Sequence, residues 1–211
     1  MNSGWVDVRT HYDTLIREDN DPVLDPPEAQ RYMQRWDGPR FWNALGDLAG
    51  RRVLEIGVGT GRLARVALAA GCAHLTGIDL SPLTIERARA HLSTFPNAEL
   101  LVADITRFRR PGAYDLAYSV LTWMHIDDNR AALENTFASL RAGGRLVLSL
   151  AQPEPVLEYN HRRLRLFPTD PEGTRAALQA LRCHVDPPVE LRDPDGRPVA
   201  TLLIASKGPS P

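Results

Sequence analysis

The chain has 211 residues, which is enough for one well-buried domain and too few for two domains of ordinary size. Its 25 lysines and arginines nearly balance its 26 acidic residues, so no overall positive charge attracts nucleic acid or an anionic membrane. Cys72 and Cys183 lie far apart and in no metal-binding spacing, which predicts neither a disulfide nor a metal site. No apolar run reaches membrane-spanning length, and the N-terminus lacks the apolar core of a signal peptide, so we expect a cytoplasmic protein.

Residues 1–50 contain two or three short helical patterns separated by turn residues. The first predicted helix covers residues 5–17. Asp25, followed by two prolines, predicts the start of a second helix, and Gly38-Pro39 ends that helix and opens a third. We expect these helices to form a cap that belongs to the same domain as the rest of the chain.

Residues 53–64, VLEIGVGTGRLA, predict a buried parallel strand, a glycine turn and a helix. The three glycines of this turn allow the backbone to bend sharply and to approach a ligand closely. Their spacing is GxGxG, and Arg62 follows Gly61 directly. The dinucleotide-binding fingerprint needs its third glycine one residue later, so this spacing disfavours a phosphate cradle.

After residue 51, predicted strands alternate with predicted helices, which indicates a parallel sheet covered by helices on both faces. Asp79 ends the second strand, where an acidic side chain can accept hydrogen bonds from both hydroxyls of a ribose. Asp104 directly follows the third strand. The predicted strands after the glycine turn cover residues 73–80, 98–103, 114–120, 145–150, 184–192 and 199–206.

The segment Glu55-Ile56-Gly57-Val58-Gly59-Thr60-Gly61 resembles the first motif of the class I S-adenosylmethionine-dependent methyltransferases, an acidic residue before GxGxG. The resemblance extends over residues 50–206 and includes the closing hairpin, which is foreign to the plain dinucleotide-binding domain. It implies an α/β, Rossmann-like fold with a seven-stranded, mostly parallel sheet, an antiparallel last strand and helices on both faces. The methyltransferase domain is expected to cover residues 51–211, with residues 1–50 as its N-terminal helical extension.

The resemblance also implies S-adenosylmethionine as the cofactor. In that family the glycine loop passes under the amino-acid part of the cofactor, with the acidic residue, here Glu55, near its ammonium group. Asp104 would hydrogen-bond the adenine amino group, with Ile105 packing on or near the ring, although a loop aspartate that only caps a turn is the alternative. Tyr12, in a leading helix, can reach over the methionine end. The predicted cofactor residues are Glu55, Gly57, Gly59, Gly61, Asp79, Leu80, Asp104, Ile105, Ser119 and Tyr12.

The acceptor is expected near residues 121–128, because ligands of open α/β sheets bind at the carboxyl ends of the strands. His125 is the candidate base for an acceptor that arrives protonated, since an imidazole titrates near neutrality; a histidine that braces the next helix is the alternative. Residues 151–168 form a long connection of the kind that covers substrates. Its arginine run is either a solvated surface or a site for a carboxylate or phosphate. The predicted substrate residues are Trp123, Tyr159, His161 and Arg162.

The leading hypothesis is a methyltransferase that acts on O or N of a small molecule and needs no metal. The fourth strand lacks the (D/N/S)PP(Y/F) sequence of enzymes that methylate exocyclic base amines or glutamine amides. A methyltransferase of RNA or protein is disfavoured by the charge balance and by the absence of an added recognition domain. A cofactor-binding partner subunit without catalysis is a further alternative, and an NAD-dependent oxidoreductase is disfavoured by the glycine spacing and the closing hairpin. The acceptor and the oligomeric state stay open.

Overall fold

The computed structural model describes residues 4–151, 153–167 and 169–208. A single helical turn, Trp123–His125, lies between the fifth strand and the sixth helix. Across the described ranges, no helix is long and apolar enough to cross a membrane. Residues 1 and 211, the outer limits of the predicted domain, lie outside those ranges. In chain order the elements are β1 (Trp5–Val6), α1 (Val8–Arg17), α2 (Pro27–Asp37), α3 (Pro39–Leu45), β2 (Arg52–Ile56), α4 (Arg62–Ala69), β3 (His74–Asp79), α5 (Pro82–His91), β4 (Ala98–Val102), β5 (Tyr114–Val120), α6 (Asn129–Ser139), β6 (Leu140–Ala151), β7 (Val156–Tyr159), β8 (Arg162–Arg165), α7 (Pro171–Ala180), β9 (Cys183–Val185), β10 (Val189–Arg192) and β11 (Pro198–Lys207).

Parallel strands form the centre of the sheet in the order β6-β5-β2-β3-β4, and β11 extends it antiparallel to β6. The central strand β5 is buried along almost its whole length, as expected for a strand covered on both faces. Helices α3, α4 and α5 pack on one face of the sheet, and α6 and α7 pack on the other. These observations confirm the predicted Rossmann-like α/β fold with a mostly parallel sheet and an antiparallel strand from the end of the chain.

The last part of the sheet differs in detail from the prediction. The sequence predicts one strand over residues 184–192, whereas two short strands, β9 and β10, pair with different parts of β11. Pro187 and Pro188 lie between them, and a proline cannot donate the backbone hydrogen bond that a continuous strand needs. In the described part of the chain the sheet therefore has eight strands instead of seven.

Strand β6 also begins earlier than predicted. The sequence predicts a turn at residues 142–144 and a strand from residue 145, but the strand starts at Leu140 and contains an irregularity in its pairing with β5. Gly143 has φ +72°, a backbone conformation that favours glycine. The glycines therefore make a bulge inside the strand instead of a turn before it.

The predicted N-terminal cap divides into two parts. Helix α3 belongs to the core, because Phe41 and Leu45 are completely buried and Phe41 packs edge-on against Tyr118 at a centroid distance of 5.8 Å. Residues 4–37, which contain β1, α1 and α2, contribute side chains above the carboxyl edge of the sheet. We call residues 4–37 the roof.

The roof begins with a strand that the sequence did not predict. Residues 5–6 are extended and pair in parallel with β8, so helix α1 starts only at Val8, where Asp7 caps it by accepting from the backbone N–H of Thr10 at 2.8 Å. Strands β7 and β8 form a hairpin within the predicted lid. Its turn residues, Asn160 and His161, both have positive φ, as a tight two-residue hairpin turn requires.

Candidate active site

A cavity of about 530 Å³ lies at the carboxyl edge of the parallel strands. The sheet supplies its floor and the roof supplies part of its wall. Eight of the predicted site residues line it, namely Tyr12, Gly57, Gly59, Asp79, Leu80, Asp104, Ile105 and His125. Its other lining residues are Val8, Pro22, Met33, Ile56, Ile78, Ala103, Thr106, Val120, Leu121, Thr122, Ile126, Asp127 and Asp128.

Glycine stands at each position of the turn for a different structural reason. Gly59 has φ +56°, and a Cβ atom built there would meet no atom within 4 Å, so this position faces open space in the cavity wall. At Gly57 a Cβ atom would stand 1.9 Å from Oγ1 of Thr122, because the threonine already occupies that space. Gly61 has φ +96° and precedes α4, with Leu92 close to it, and it does not line the cavity. Gly57 and Gly59 both line the cavity, and of the two only Gly59 has open space at its Cβ position.

A fourth glycine, Gly77 in β3, was not among the predicted site residues. A Cβ atom there would lie 2.7 Å from a methyl group of Val58, so the missing side chain lets the glycine turn pack on the sheet. The backbone N–H groups of Gly57 and Val58 both donate to the Ile78 carbonyl, at 2.8 and 3.0 Å. A glycine inside a strand pattern signals such a close approach, so the sequence did contain this information.

Asp79 is fixed by backbone donors at the edge of the cavity. Its Oδ2 accepts from the N–H of Gly59 at 3.2 Å, and its Oδ1 accepts from the N–H of Ser81 at 2.9 Å. Burial raises the pKa of this carboxyl, and the two backbone hydrogen bonds oppose that rise. The carboxylate is thus held rigidly where a ribose is predicted to bind, and that role stays a prediction.

Asp104 caps a turn and also lies in the cavity wall, and its role towards adenine stays a prediction. Its Oδ1 accepts from both the N–H and the hydroxyl of Thr106, each at 2.8 Å, which is the turn-capping arrangement. Asp104 and Ile105 also line the cavity. The cap therefore orients the aspartate without removing it from the site.

Two predicted cofactor residues lie behind the cavity wall. Glu55 is only 3 % exposed, and its Oε2 accepts from the Tyr118 hydroxyl at 2.8 Å. Burial raises the pKa of Glu55 to about 8, although the Tyr118 hydrogen bond acts in the opposite direction. Ser119 donates to the Ile56 carbonyl at 3.0 Å and so ties β5 to β2. Neither side chain lines the cavity, because each is occupied by a partner within the sheet.

Tyr12 of the roof and His125 meet across the cavity, with 2.8 Å between the phenol oxygen and Nε2. Burial lowers the pKa of His125 to about 4, with a smaller contribution from His11. Burial also raises the pKa of Tyr12 far above its ordinary value. Both groups are therefore uncharged at neutral pH. Their separation of 113 residues in the sequence means that the pairing depends on the fold and cannot be seen from local motifs.

The four predicted substrate residues lie outside the cavity lining. Trp123 is 2 % exposed and belongs to the apolar core, so its position after a central strand does not direct it towards a ligand. Tyr159 and His161 are exposed on the hairpin. Arg162 holds Glu18 of the roof, with 2.8 Å between Nη2 and Oε2. The hairpin residues thus contact the outside of the roof, and Val8, Pro22 and Met33 form the roof side of the cavity instead.

Comparison with known proteins shows which family the chain resembles. Residues 53–144 match the model of a family described as a methyltransferase domain. The chain is 31 % identical to the O-methyltransferase rstn1 of Aspergillus nomiae, over 92 % of this chain and 87 % of the relative. It is 30 % identical to the O-methyltransferase resE of Aspergillus sclerotiorum, over 72 % of this chain and 59 % of that protein.

A solved structure shows the same fold. Magnesium protoporphyrin IX methyltransferase (ChlM) of Synechocystis PCC 6803, crystallised with S-adenosylmethionine, superposes with a TM-score of 0.71 at 18 % identity and covers 95 % of each chain. At that identity the likeness concerns the fold alone. Together with the near full-length match to rstn1 and the glycine turn at the cavity edge, the fold leads to one conclusion: the chain belongs to the class I S-adenosylmethionine-dependent methyltransferases and is an enzyme that uses this cofactor.

Proposed function

We propose that this enzyme methylates a hydroxyl oxygen of a small molecule bound between the sheet edge and the roof. The observation that carries the proposal is the hydrogen-bonded pair of Tyr12 and His125 in the wall of the cavity. Such a pair can take a proton from an acceptor, which a hydroxyl must lose as it is methylated. Two relatives that are 31 % and 30 % identical to the chain over the aligned residues are named O-methyltransferases, which favours oxygen over nitrogen.

The residues at the sheet edge fit the cofactor. Gly59 leaves open space where a side chain would stand, and Asp79 presents a fixed carboxylate that can accept from ribose hydroxyls. The hydrogen bonds that Asp104 accepts from described residues all go to Oδ1, which leaves Oδ2 for a donor such as the adenine amino group. When bound, S-adenosylmethionine supplies a methyl group on a positively charged sulfur, which needs little further activation.

The protein has two tasks in this scheme, to position the acceptor and to handle its proton. Enclosure between the sheet and the roof holds the acceptor oxygen and excludes water, and positioning of this kind contributes several kcal/mol, up to roughly 7–11 in favourable models. As the acceptor hydroxyl loses its proton, the Tyr12 phenol oxygen can accept it and pass its own proton to Nε2 of His125. Burial keeps the His125 imidazole unprotonated at neutral pH, so Nε2 can accept a proton, and the same low pKa makes it a weak base.

Paired substitutions test the assignment. In His125→Gln we expect methyl transfer from labelled S-adenosylmethionine to a panel of phenols and alcohols to fall about 100-fold, since a positioned proton acceptor contributes on that order. Tyr12→Phe should lower transfer to a similar extent, because the histidine remains but its link to the acceptor is lost. The affinity for S-adenosylhomocysteine, measured by calorimetry, should change little in both variants.

His161→Gln is the matched control, because His161 lies on the exposed hairpin turn and outside the cavity. It should transfer methyl groups at the parental rate. Parental turnover in His125→Gln would remove the histidine from the reaction. Transfer to amines but to no hydroxyl compound would overturn the choice of oxygen.

A further inference from the structure

The side chains that line the cavity carry charge of one sign only. Asp79, Asp104, Asp127 and Asp128 are among them, and no lysine or arginine of the described chain is. Asp79 and Asp104 occupy the part of the edge that follows β3 and β4, whereas Asp127 and Asp128 follow His125. Two segments of the wall therefore carry carboxylates, and those of Asp127 and Asp128 are exposed to solvent.

Three arginines that contact the roof are paired with its carboxylates. Arg162 forms an ion pair with Glu18. Arg87 of α5 forms an ion pair with Asp21 of the roof, with 3.0 Å between Nη1 and Oδ2. Arg62, directly after the glycine turn, forms an ion pair with the buried Asp37 at the end of α2. Arg162, in the connection of residues 151–168, thus binds the hairpin to the roof, and no arginine of this connection lines the cavity.

The walls near the Tyr12 and His125 pair are mostly apolar. Val8 and Met33 come from the roof, and Leu121 and Ile126 come from the segment after β5. Leu121 has φ +55°, which is rare for a branched side chain and indicates that its position is enforced by its surroundings. An acceptor between these walls would lose most of its water without gaining a cation.

We propose that the acceptor is an uncharged, mainly apolar hydroxyl compound and that the site rejects acceptors bearing a carboxylate or phosphate. This inference rests on the proposed hydroxyl methylation. A carboxylate placed among these walls would be desolvated and repelled by the aspartates. The uncharged Tyr12 and His125 pair offers it a hydrogen bond but no compensating charge. Coulomb repulsion at a separation of several ångströms lowers affinity by roughly 10- to 100-fold at an intermediate dielectric constant.

Binding of matched compounds to the protein saturated with S-adenosylhomocysteine tests this inference. We would measure, by ligand-observed NMR, the dissociation constants of methyl gallate against gallate, methyl ferulate against ferulate, and naphthol against hydroxynaphthoate. Each pair differs mainly in one negative charge. The neutral member should bind at least about 10-fold more tightly in every pair.

A positive charge placed in the wall should weaken this preference. Met33→Arg adds a cation from the roof, and we expect it to narrow the ratio between the neutral and anionic members by about 10-fold. Met33→Gln, which changes shape and polarity without charge, should keep the parental ratio.

Tighter or equal binding of the anionic members by the parent enzyme overturns the inference, and so does a failure of every neutral member to bind. An unchanged ratio in Met33→Arg overturns the electrostatic explanation. Transfer is measured separately with S-adenosylmethionine. Compounds that bind in the expected order yet receive no methyl group contradict the proposed function alone, whereas methylation of the anionic members at the rate of the neutral ones contradicts only this inference.

Discussion

The sheet edge and the roof enclose the same cavity but are held in place by different forces. At the sheet edge, Val53 and Leu54 are completely buried, and the glycine turn is fixed by backbone hydrogen bonds to Ile78. Full burial of each such aliphatic side chain stabilises the fold by about 1.5–3 kcal/mol. The edge is therefore part of the core.

Polar side chains attach the roof to α5 and to its N-terminal cap, Ser81. Asp13 accepts from the Ser81 hydroxyl at 2.6 Å, and Asp21 accepts from Arg87 and from His91, the latter at 2.7 Å. Contacts of this kind depend on individual pairs, and most contribute about 1 kcal/mol each. Changes at the sheet edge should therefore disturb folding and cofactor binding together, whereas changes in the roof should disturb the site before they disturb the fold.

The largest effect is expected for Gly57→Ala. The new Cβ atom would stand 1.9 Å from Thr122 Oγ1, and the backbone has a positive φ, so steric overlap and strain act together. We expect a loss of about 4 kcal/mol in the free energy of unfolding, with loss of S-adenosylhomocysteine binding. Urea denaturation and calorimetry measure the two effects.

The control for this change is Gly71→Ala. Gly71 also has a positive φ, +86°, but its Cβ atom would meet nothing within 4 Å. We expect it to lose only about 1–2 kcal/mol, because it carries the backbone strain without the overlap. Equal losses in the two variants would show that Thr122 does not matter and that the edge is less tightly packed than described.

An intermediate effect is expected for Asp21→Ala, which removes the carboxylate shared by Arg87 and His91. Because Asp21 is only 5 % exposed, its loss should cost about 3 kcal/mol and loosen the roof. Limited proteolysis should cut within the roof faster, while hydrogen exchange in the central strands stays slow. Asp19→Ala is the control, since Asp19 is exposed and lies 3.9 Å from Arg87. Uniformly faster exchange in Asp21→Ala would mean that roof and sheet unfold as one unit.

The smallest effect is expected for Glu55→Gln, which should stabilise the folded protein by an amount that depends on pH. Burial raises the pKa of Glu55 from 4.5 to about 8, so the folded protein keeps this proton longer than the unfolded chain does. The contribution of Glu55 is fully present below pH 4.5 and is lost as the pH rises towards 8. Glu55→Gln keeps an acceptor for Tyr118 and should gain about 2 kcal/mol relative to the parent at the alkaline end of this range and little at the acid end.

Urea denaturation of the parent and of Glu55→Gln across this pH range measures the difference. Glu134→Gln, on the exposed side of α6, is the control and should follow the parent. If the free energy of unfolding depends on pH in the same way in the parent and in Glu55→Gln, Glu55 is ionised in the folded protein. The sheet edge would then be more accessible to water than the contacts of Glu55 indicate.

The same division between edge and roof decides what the sequence could predict. The glycine turn, Asp79 and Asp104 are visible because each is defined by its place after a local strand pattern. Ser119 and Trp123 were placed at the site by the same reasoning, but the direction of a side chain at the end of a strand also depends on its partners in the fold. The sequence identified the edge and overestimated how many of its side chains face the cavity.

The helices of the roof could be predicted, but its contacts could not, because they join distant parts of the chain. Tyr12 meets His125 across 113 residues, and β1 pairs with β8 although no local pattern suggests either strand. The proposed lid contacts the roof from outside, since its hairpin turn and the Glu18 ion pair direct it there. Periodicity gives the elements, whereas pairing between remote elements depends on side-chain contacts that one sequence does not reveal.

The parallel pairing of β1 with β8 has a consequence for synthesis on the ribosome. Trp5 leaves the ribosome well before its partner in the ladder, Arg163, which lies 158 residues further along the chain. Contacts so distant along the chain form late, because the intervening loop must close first. The nascent protein can thus form the glycine turn and the parallel pairing of β2, β3 and β5 before β1 gains its partner strand, so this side of the roof is completed late.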